Sequence, residues 1–287
     1  MSLIKTFIIG VLAVLLAGCS SLRLGYNNGQ QLAWWWLDGY VDFSREQVPQ
    51  VKQGIDRWFE WHRATQLGAY AVLLAGVRAE VLADTTPARA CRWQAQLRDA
   101  LEPALDRALE LGADLLPGLG EAQLRHLEQR YAKGNDEMRS EFLQPDLALR
   151  ARESVKRTVE RAERLYGSLA DAQRLVIAEG VAASPFDPEL WLAERERRQR
   201  DTLQVLRRLL ADRADRDQRL AALRTLVARA EISPDREYRA YQQRLAEYNC
   251  AFAARIHNAT TAAQRRQAQQ TLQGWEQDLR ALMTPAG

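Results

Sequence analysis

From residue 44 onward, the apolar residues of this chain recur at steps of three and four, and no convincing step-of-two stretch appears. That period constrains the fold more than any other feature. An α-helix turns about 100° per residue, so apolar residues at i, i+3, i+4 and i+7 line one face, whereas a half-buried strand needs strict alternation. Over 44–83 the stripe is Val48, Val51, Ile55, Trp58, Phe59, Tyr70, Leu73, Val77 and Val81. Over 87–116 it runs through Cys91, Leu97, Leu101, Leu105, Leu109 and Leu116, and over 120–143 through Leu124, Leu127, Tyr131, Met138 and Phe142. Further helices are expected over 146–167, 170–183, 187–212, 216–230, 234–257 and 261–283. Pro188 suits the first turn of its helix, and proline and glycine fall mainly between the segments. No long linker or low-complexity stretch divides the chain. The expected class is all-α: one multi-helix, bundle-like domain over 44–287, after a short tether over 19–43 that carries a Trp-rich helix.

The first residues read as an address. Lys5 supplies a positive start, Phe7 to Ala17 form an apolar run, and Leu16-Ala17-Gly18-Cys19 closes it. A run this short, ending in small residues, reads as a secretory signal peptide, because crossing a bilayer takes about 20 apolar residues. The ending resembles a bacterial lipobox, in which the Cys thiol receives a diacylglyceryl group and becomes the new N-terminus. Residues 1–18 are therefore expected to be a lipoprotein signal peptide and Cys19 the lipidated residue. Ser20 stands where resemblance to Gram-negative lipoproteins puts an Asp for inner-membrane retention, so the resemblance implies an outer-membrane anchor facing the periplasm. Acyl chains hold a protein there because each buried methylene adds about 0.8 kcal/mol.

With residues 1–18 removed, 39 basic residues face 37 acidic ones. The charges are interspersed, which speaks against a nucleic-acid partner. Cys19 is assigned to the lipid, which leaves Cys91 and Cys250. An oxidising periplasm favours a bridge between them, and two buried thiols acting as small apolar groups are the alternative. No H-x-x-x-H, C-x-x-C or H-E-x-x-H spacing occurs, so no metal or other cofactor is expected. No nucleophile motif occurs either, and the expectation is a protein without catalysis.

A glutamine recurs in the first turn of four helices: Gln47, Gln123, Gln173 and Gln264. Ser44 with Gln47, and Thr261 with Gln264, read as capping boxes, the hydroxyl accepting the N3 amide while the Gln returns to the cap's own N–H. Ser168 with Asp171 reads as a comparable cap, and Gly120 leaves only backbone. These starts resemble, loosely, the LTxxQ element of small periplasmic stress chaperones related to Spy and CpxP.

A second resemblance covers essentially the whole mature chain. Cys19, Tyr26-Asn27-Asn28, Trp35-Trp36, Leu37-Asp38, Tyr40-Val41-Asp42 and Trp61-His62-Arg63 together resemble an uncharacterised family of proteobacterial lipoproteins. It implies a location and an all-helical fold, and no activity. Three adjacent indoles, Trp34, Trp35 and Trp36, cannot share one helical face. Trp35, with Leu32 or Trp36, is expected to pack on the body, with one indole free for the lipid headgroup region. His62 shares a face with Phe59 and reads as a satisfied core or rim histidine. Trp34, Trp35, Trp36, Trp61, His62 and Arg63 are the candidate binding residues, and Arg195, Arg198 and Arg200 sit in a charge run that reads first as a solvated face. The functional expectation is an envelope lipoprotein that binds or scaffolds a protein partner, the alternative being a periplasmic holdase or envelope-stress accessory protein.

Overall fold

The computed structural model describes residues 21–283, so the signal-peptide expectation for 1–18 and the lipidation expectation for Cys19 lie outside the described residues. The described chain forms twelve α-helices, one 3-10 turn and no strand. In order they are α1 (Ser21–Asn27), α2 (Gly29–Val41), α3 (Val48–Thr65), α4 (Leu67–Glu80), α5 (Pro87–Leu115), α6 (Glu121–Phe142), α7 (Leu147–Tyr166), α8 (Asp171–Ala182), α9 (Pro188–Ala211), α10 (Arg216–Glu231), α11 (Arg236–Asn258) and α12 (Ala262–Met283). The all-α, single-domain expectation is met.

Helix α5 is the spine. Its first half carries α11 and its second half α10, both antiparallel to it. Thr85 meets Asn258, Cys91 is joined to Cys250 by a disulfide with Cα atoms 5.3 Å apart, and Arg224 and Arg216 pair with Asp106 and Asp114. Helix α12 lies antiparallel along α4: Leu67 and Ala71 pack with Leu279 and Leu282, and Val81 with Ala268 and Leu272. Helices α6 and α9 run antiparallel, with Glu121 and Glu128 on Arg207 at one end and Arg139 on Glu196 at the other. Two glycines permit close crossings. A Cβ at Gly54 would collide with Leu111 of α5, and one at Gly180 with the Phe252 ring of α11.

The single helix expected over 44–83 is two. Gln66 closes α3 and opens α4, with its N–H bonded to His62 O at 2.9 Å. The chain bends there because α3 packs on α5 while α4 follows α12. The segment expected as a tether is also part of the body over the described residues. Helix α1 sets Leu22 and Tyr26 on the Leu67–Leu282 cluster, and α2 lies against α3 and α6.

The four glutamines meet in two pairs, Gln47 with Gln123 and Gln173 with Gln264. Each Oε1 accepts from the backbone N–H three residues before it: Ser44 N (2.7 Å), Gly120 N (3.0 Å), Ala170 N (2.9 Å) and Thr261 N (2.9 Å). Within each pair the amides also face each other, at 2.9 Å from Gln123 Nε2 to Gln47 Oε1 and at 2.6 and 2.9 Å between Gln173 and Gln264. Each Nε2 then donates to a carbonyl two residues before the partner's cap: Gln47 to Gly118, Gln123 to Asp42, Gln173 to Ala259 and Gln264 to Ser168. A primary amide offers two N–H donors and two acceptor sites, and here all are used.

This arrangement corrects two expected caps. Ala170, not Ser168, is the N-cap of α8, and Ser168 contributes its carbonyl to Gln264. At the first start the Ser44 hydroxyl turns to Glu46 (2.7 Å), so only the glutamine half of that box forms, while Thr261 and Gln264 make both halves.

Candidate functional site

The candidate binding residues divide into two places. The first is a clasp between α1, α3 and α4. His62 is buried, stacked on Trp58 with centroids 4.6 Å apart, and its Nδ1 and Nε2 lie 2.9 and 3.3 Å from the hydroxyls of Tyr26 and Tyr70. Burial holds its pKa below the usual histidine range, so the neutral ring accepts from one hydroxyl and donates to the other. Arg63 donates to Leu282 O at 2.9 Å and to Asn27 Oδ1 at 3.4 Å, and its cation lies 5.1 Å from the Tyr26 ring centre. Tyr26-Asn27 and His62-Arg63, far apart in sequence, thus form one contact that closes the N-terminal helix onto the body. Trp61 is half-buried beside His62, with Arg107 5.9 Å from its ring centre. A second buried histidine repeats the motif: His257 Nε2–H donates to Ala83 O (2.8 Å) while Nδ1 accepts from Tyr166 (2.9 Å).

The indoles distribute differently from expectation. Trp34 is the one that packs, stacked on Phe43 at 5.9 Å with Lys52 Nζ 4.9 Å from its ring centre. Trp35 and Trp36 are each 62 % exposed, and Leu32 is 50 % exposed. The face of α2 that meets α3 passes through position 34, and residues one and two further on turn away from it.

Trp36 leads to the second place. It rises at the mouth of a groove of about 510 Å³ lined by Leu37, Tyr40 and Val41 of α2, Leu127 and Tyr131 of α6, Trp191, Arg195, Arg198, Gln199 and Thr202 of α9, and Tyr238 of α11. Ligand sites occupy about 300–1,000 Å³ and combine apolar walls with a few oriented polar groups. Trp36 lies 4.9 Å from Tyr40 and Tyr40 lies 6.3 Å from Tyr131, centre to centre. Behind them sits a preformed polar support. Buried Asn135 accepts from Arg195 Nε at 2.9 Å, and exchanges hydrogen bonds with Gln199 at 2.7 and 3.2 Å. Gln199 thus braces Asn135, which holds Arg195 through Nε without neutralising it, and among the described residues no carboxylate pairs with Arg195.

Arg198 is tied through Nε to buried Glu194 (2.9 Å), and its Nη2 is buried with no partner among the described residues. Glu194 stays below the usual carboxylate range although burial opposes this, because Arg197 and Arg198 donate to it. Arg200, also in the charge run, is exposed and outside the groove. In the cleft beside Trp58, Arg107 pairs with Glu110 and Arg216 with Asp114. Among the described residues no group of three or more His, Cys, Asp or Glu could hold a metal, and no helix is long and apolar enough to cross a membrane.

Fold and site thus define, over the described residues, an all-helical protein with two glutamine-closed helix junctions and an aromatic groove that holds Arg195 and Arg198. Residues 39–239 match the family of unknown function DUF6279, and the chain belongs to that family. The matched span takes in the groove from Tyr40 to Tyr238, while α1, Trp34–Trp36 and α12 lie outside it. No curated protein and no solved structure matches the chain.

Proposed function

We propose that this protein is an envelope lipoprotein that binds a polypeptide partner in the groove between α2, α6, α9 and α11. The observation that carries the reading is Arg195. It is a half-buried cation whose Nε donates to the Asn135 amide, without a carboxylate partner among the described residues, in a groove that also holds Trp36, Tyr40, Tyr131, Trp191 and Tyr238. A buried charge is costly unless something compensates it, so such a placement favours a ligand that does. Anchoring is assigned to Cys19 by its lipobox-like setting, with the outer membrane and its periplasmic face following from Ser20. Leu24, Leu32 and Trp35 support this, since all three are exposed on the helices that follow Cys19 directly. An indole and aliphatic side chains there suit the headgroup layer.

The test places a photo-reactive benzophenone amino acid at position 202, inside the groove, in the tagged full-length protein in its own host. Position 72, exposed on α4 and outside the groove, serves as control. A single adduct formed from 202 and not from 72, and lost with Trp36→Ala, supports the reading. Equal labelling from both positions refutes it. Cys19→Ala is expected to release the protein from the membrane fraction, and its retention there would remove the anchor from the proposal.

A further inference from the structure

The eight tyrosines of the chain divide cleanly. Tyr26, Tyr70, Tyr166, Tyr241 and Tyr248 each engage their hydroxyl within the protein, with His62, His62, His257, Asp187 and Gly180 respectively. Tyr40, Tyr131 and Tyr238 have no hydroxyl partner among the described residues, and all three line the groove. Three phenols without an internal partner in one groove leave their hydroxyls available to whatever occupies it. Burial raises the pKa of Tyr131 and of Tyr238, which keeps both as O–H donors. Arg198 flanks Tyr238, its guanidinium carbon 5.8 Å from that ring centre. The groove therefore offers three phenol hydroxyls and a cation, Arg195.

Several donors call for several acceptors. A fatty acid or a small aromatic acid carries its acceptors at one end only. An extended polypeptide carries a carbonyl at every residue, and its last residue adds a carboxylate. We infer that the groove captures the C-terminal end of a partner polypeptide, Arg195 taking the terminal carboxylate and Trp36, Tyr40, Tyr131 and Trp191 taking apolar or aromatic side chains of the last residues. The hydroxyls of Tyr40, Tyr131 and Tyr238 meet the peptide carbonyls. Capture of a chain end in this manner is an established mode of peptide recognition, and charge-assisted hydrogen bonds make the carboxylate the strongest single contact.

The inference rests on the proposed binding role, and its test is separable from the crosslinking test of that role. The full-length, detergent-extracted protein is presented with a synthetic array of hexapeptides ending in two aromatic or aliphatic residues. Each is made once with a free C-terminal carboxylate and once as the C-terminal amide. Free-acid peptides are expected to bind, and amidation to weaken binding at least tenfold. Arg195→Gln is expected to abolish the difference between acid and amide, and Tyr131→Phe with Tyr238→Phe to weaken both forms, with the circular dichroism and melting of every variant unchanged. N-acetyl-tryptophan and dodecanoate are the competing probes. If either binds as tightly as the best peptide, the occupant is a free acid or a lipid and the inference is overturned. It is equally overturned if acid and amide bind alike, or if no peptide is retained. A groove crosslink obtained in the host together with a silent array would leave the binding role standing and assign the groove to an internal segment of the partner.

Discussion

The glutamine pairs make the sharpest prediction about stability. Consider Gln173→Ala in the pair of α8 and α12. Gln173 is 8 % exposed, and its amide serves Ala170 N, Ala259 O and both polar atoms of Gln264. Each lost hydrogen bond costs about 1 kcal/mol, and a buried group left without a partner costs about 1–3 kcal/mol. Allowing for water reaching part of the gap, the loss should be about 3 kcal/mol. Such a loss lowers the melting temperature of a chain this size by roughly 5 °C. Gln264→Ala should cost somewhat less, being less buried. The double variant is decisive, because the two amides share their hydrogen bonds. Its loss should fall short of the sum of the single losses by about 1 kcal/mol or more, whereas independent sites add within about 0.5 kcal/mol. Urea unfolding followed by circular dichroism measures all four species. Additive losses would show that the pair does not act as a unit in solution, and the account of the helix junctions given above would fall. The half-exposed Gln47–Gln123 pair should repeat the pattern at about half the size.

Joining Cys91 to Cys250 closes a loop of 159 residues, which on the chain-entropy model stabilises the fold by about 5 kcal/mol; Cys91→Ala with Cys250→Ala should lower the urea midpoint accordingly, and an unchanged midpoint would contradict it. His62 and His257 are both held below the usual value of 6.5, chiefly by burial, so the unfolded chain takes up their protons first as pH falls. Stability should therefore be full above about 6.5 and decline below it until the folded forms titrate; a melting temperature flat between pH 7.5 and 5.5 would refute the assignment, and His62→Gln with His257→Gln should remove the slope. Trp34→Ala should cost about 2 kcal/mol through its lost stacking, whereas Trp35→Ala should stay within about 0.5 kcal/mol, both read from thermal melts.

The sequence carried the helices legibly because each must bury one face, and that need writes a period of three to four into it. The bend at Gln66 left no mark, since no proline or αL glycine makes it; the competing directions of α5 and α12 do. The four glutamines stood out as a recurring first-turn residue, but their partners lie 76 and 91 positions away, and nothing local announces an amide that bonds its own cap and a distant helix start alike. The groove was legible only in fragments. Trp36, Arg195 and Arg198 drew notice separately, whereas Tyr131 read as core, and Trp191 and Tyr238 gave no signal. Their meeting depends on how α2, α6, α9 and α11 converge. The indole order was misjudged because the pattern identifies a helix face without naming which face its neighbour will cover.

The order in which these closures become available along the chain has its own consequence. A polypeptide emerging N-terminus first presents Gln47 and Gln123, so the first junction can form before α8 exists. Cys91 lies inside that early segment and must wait for Cys250, more than 150 residues later. During that wait the one other thiol within reach is Cys19. A thioether-linked lipid on Cys19, as proposed, would remove that competitor, so acylation would act as a guard on correct oxidation as well as an anchor.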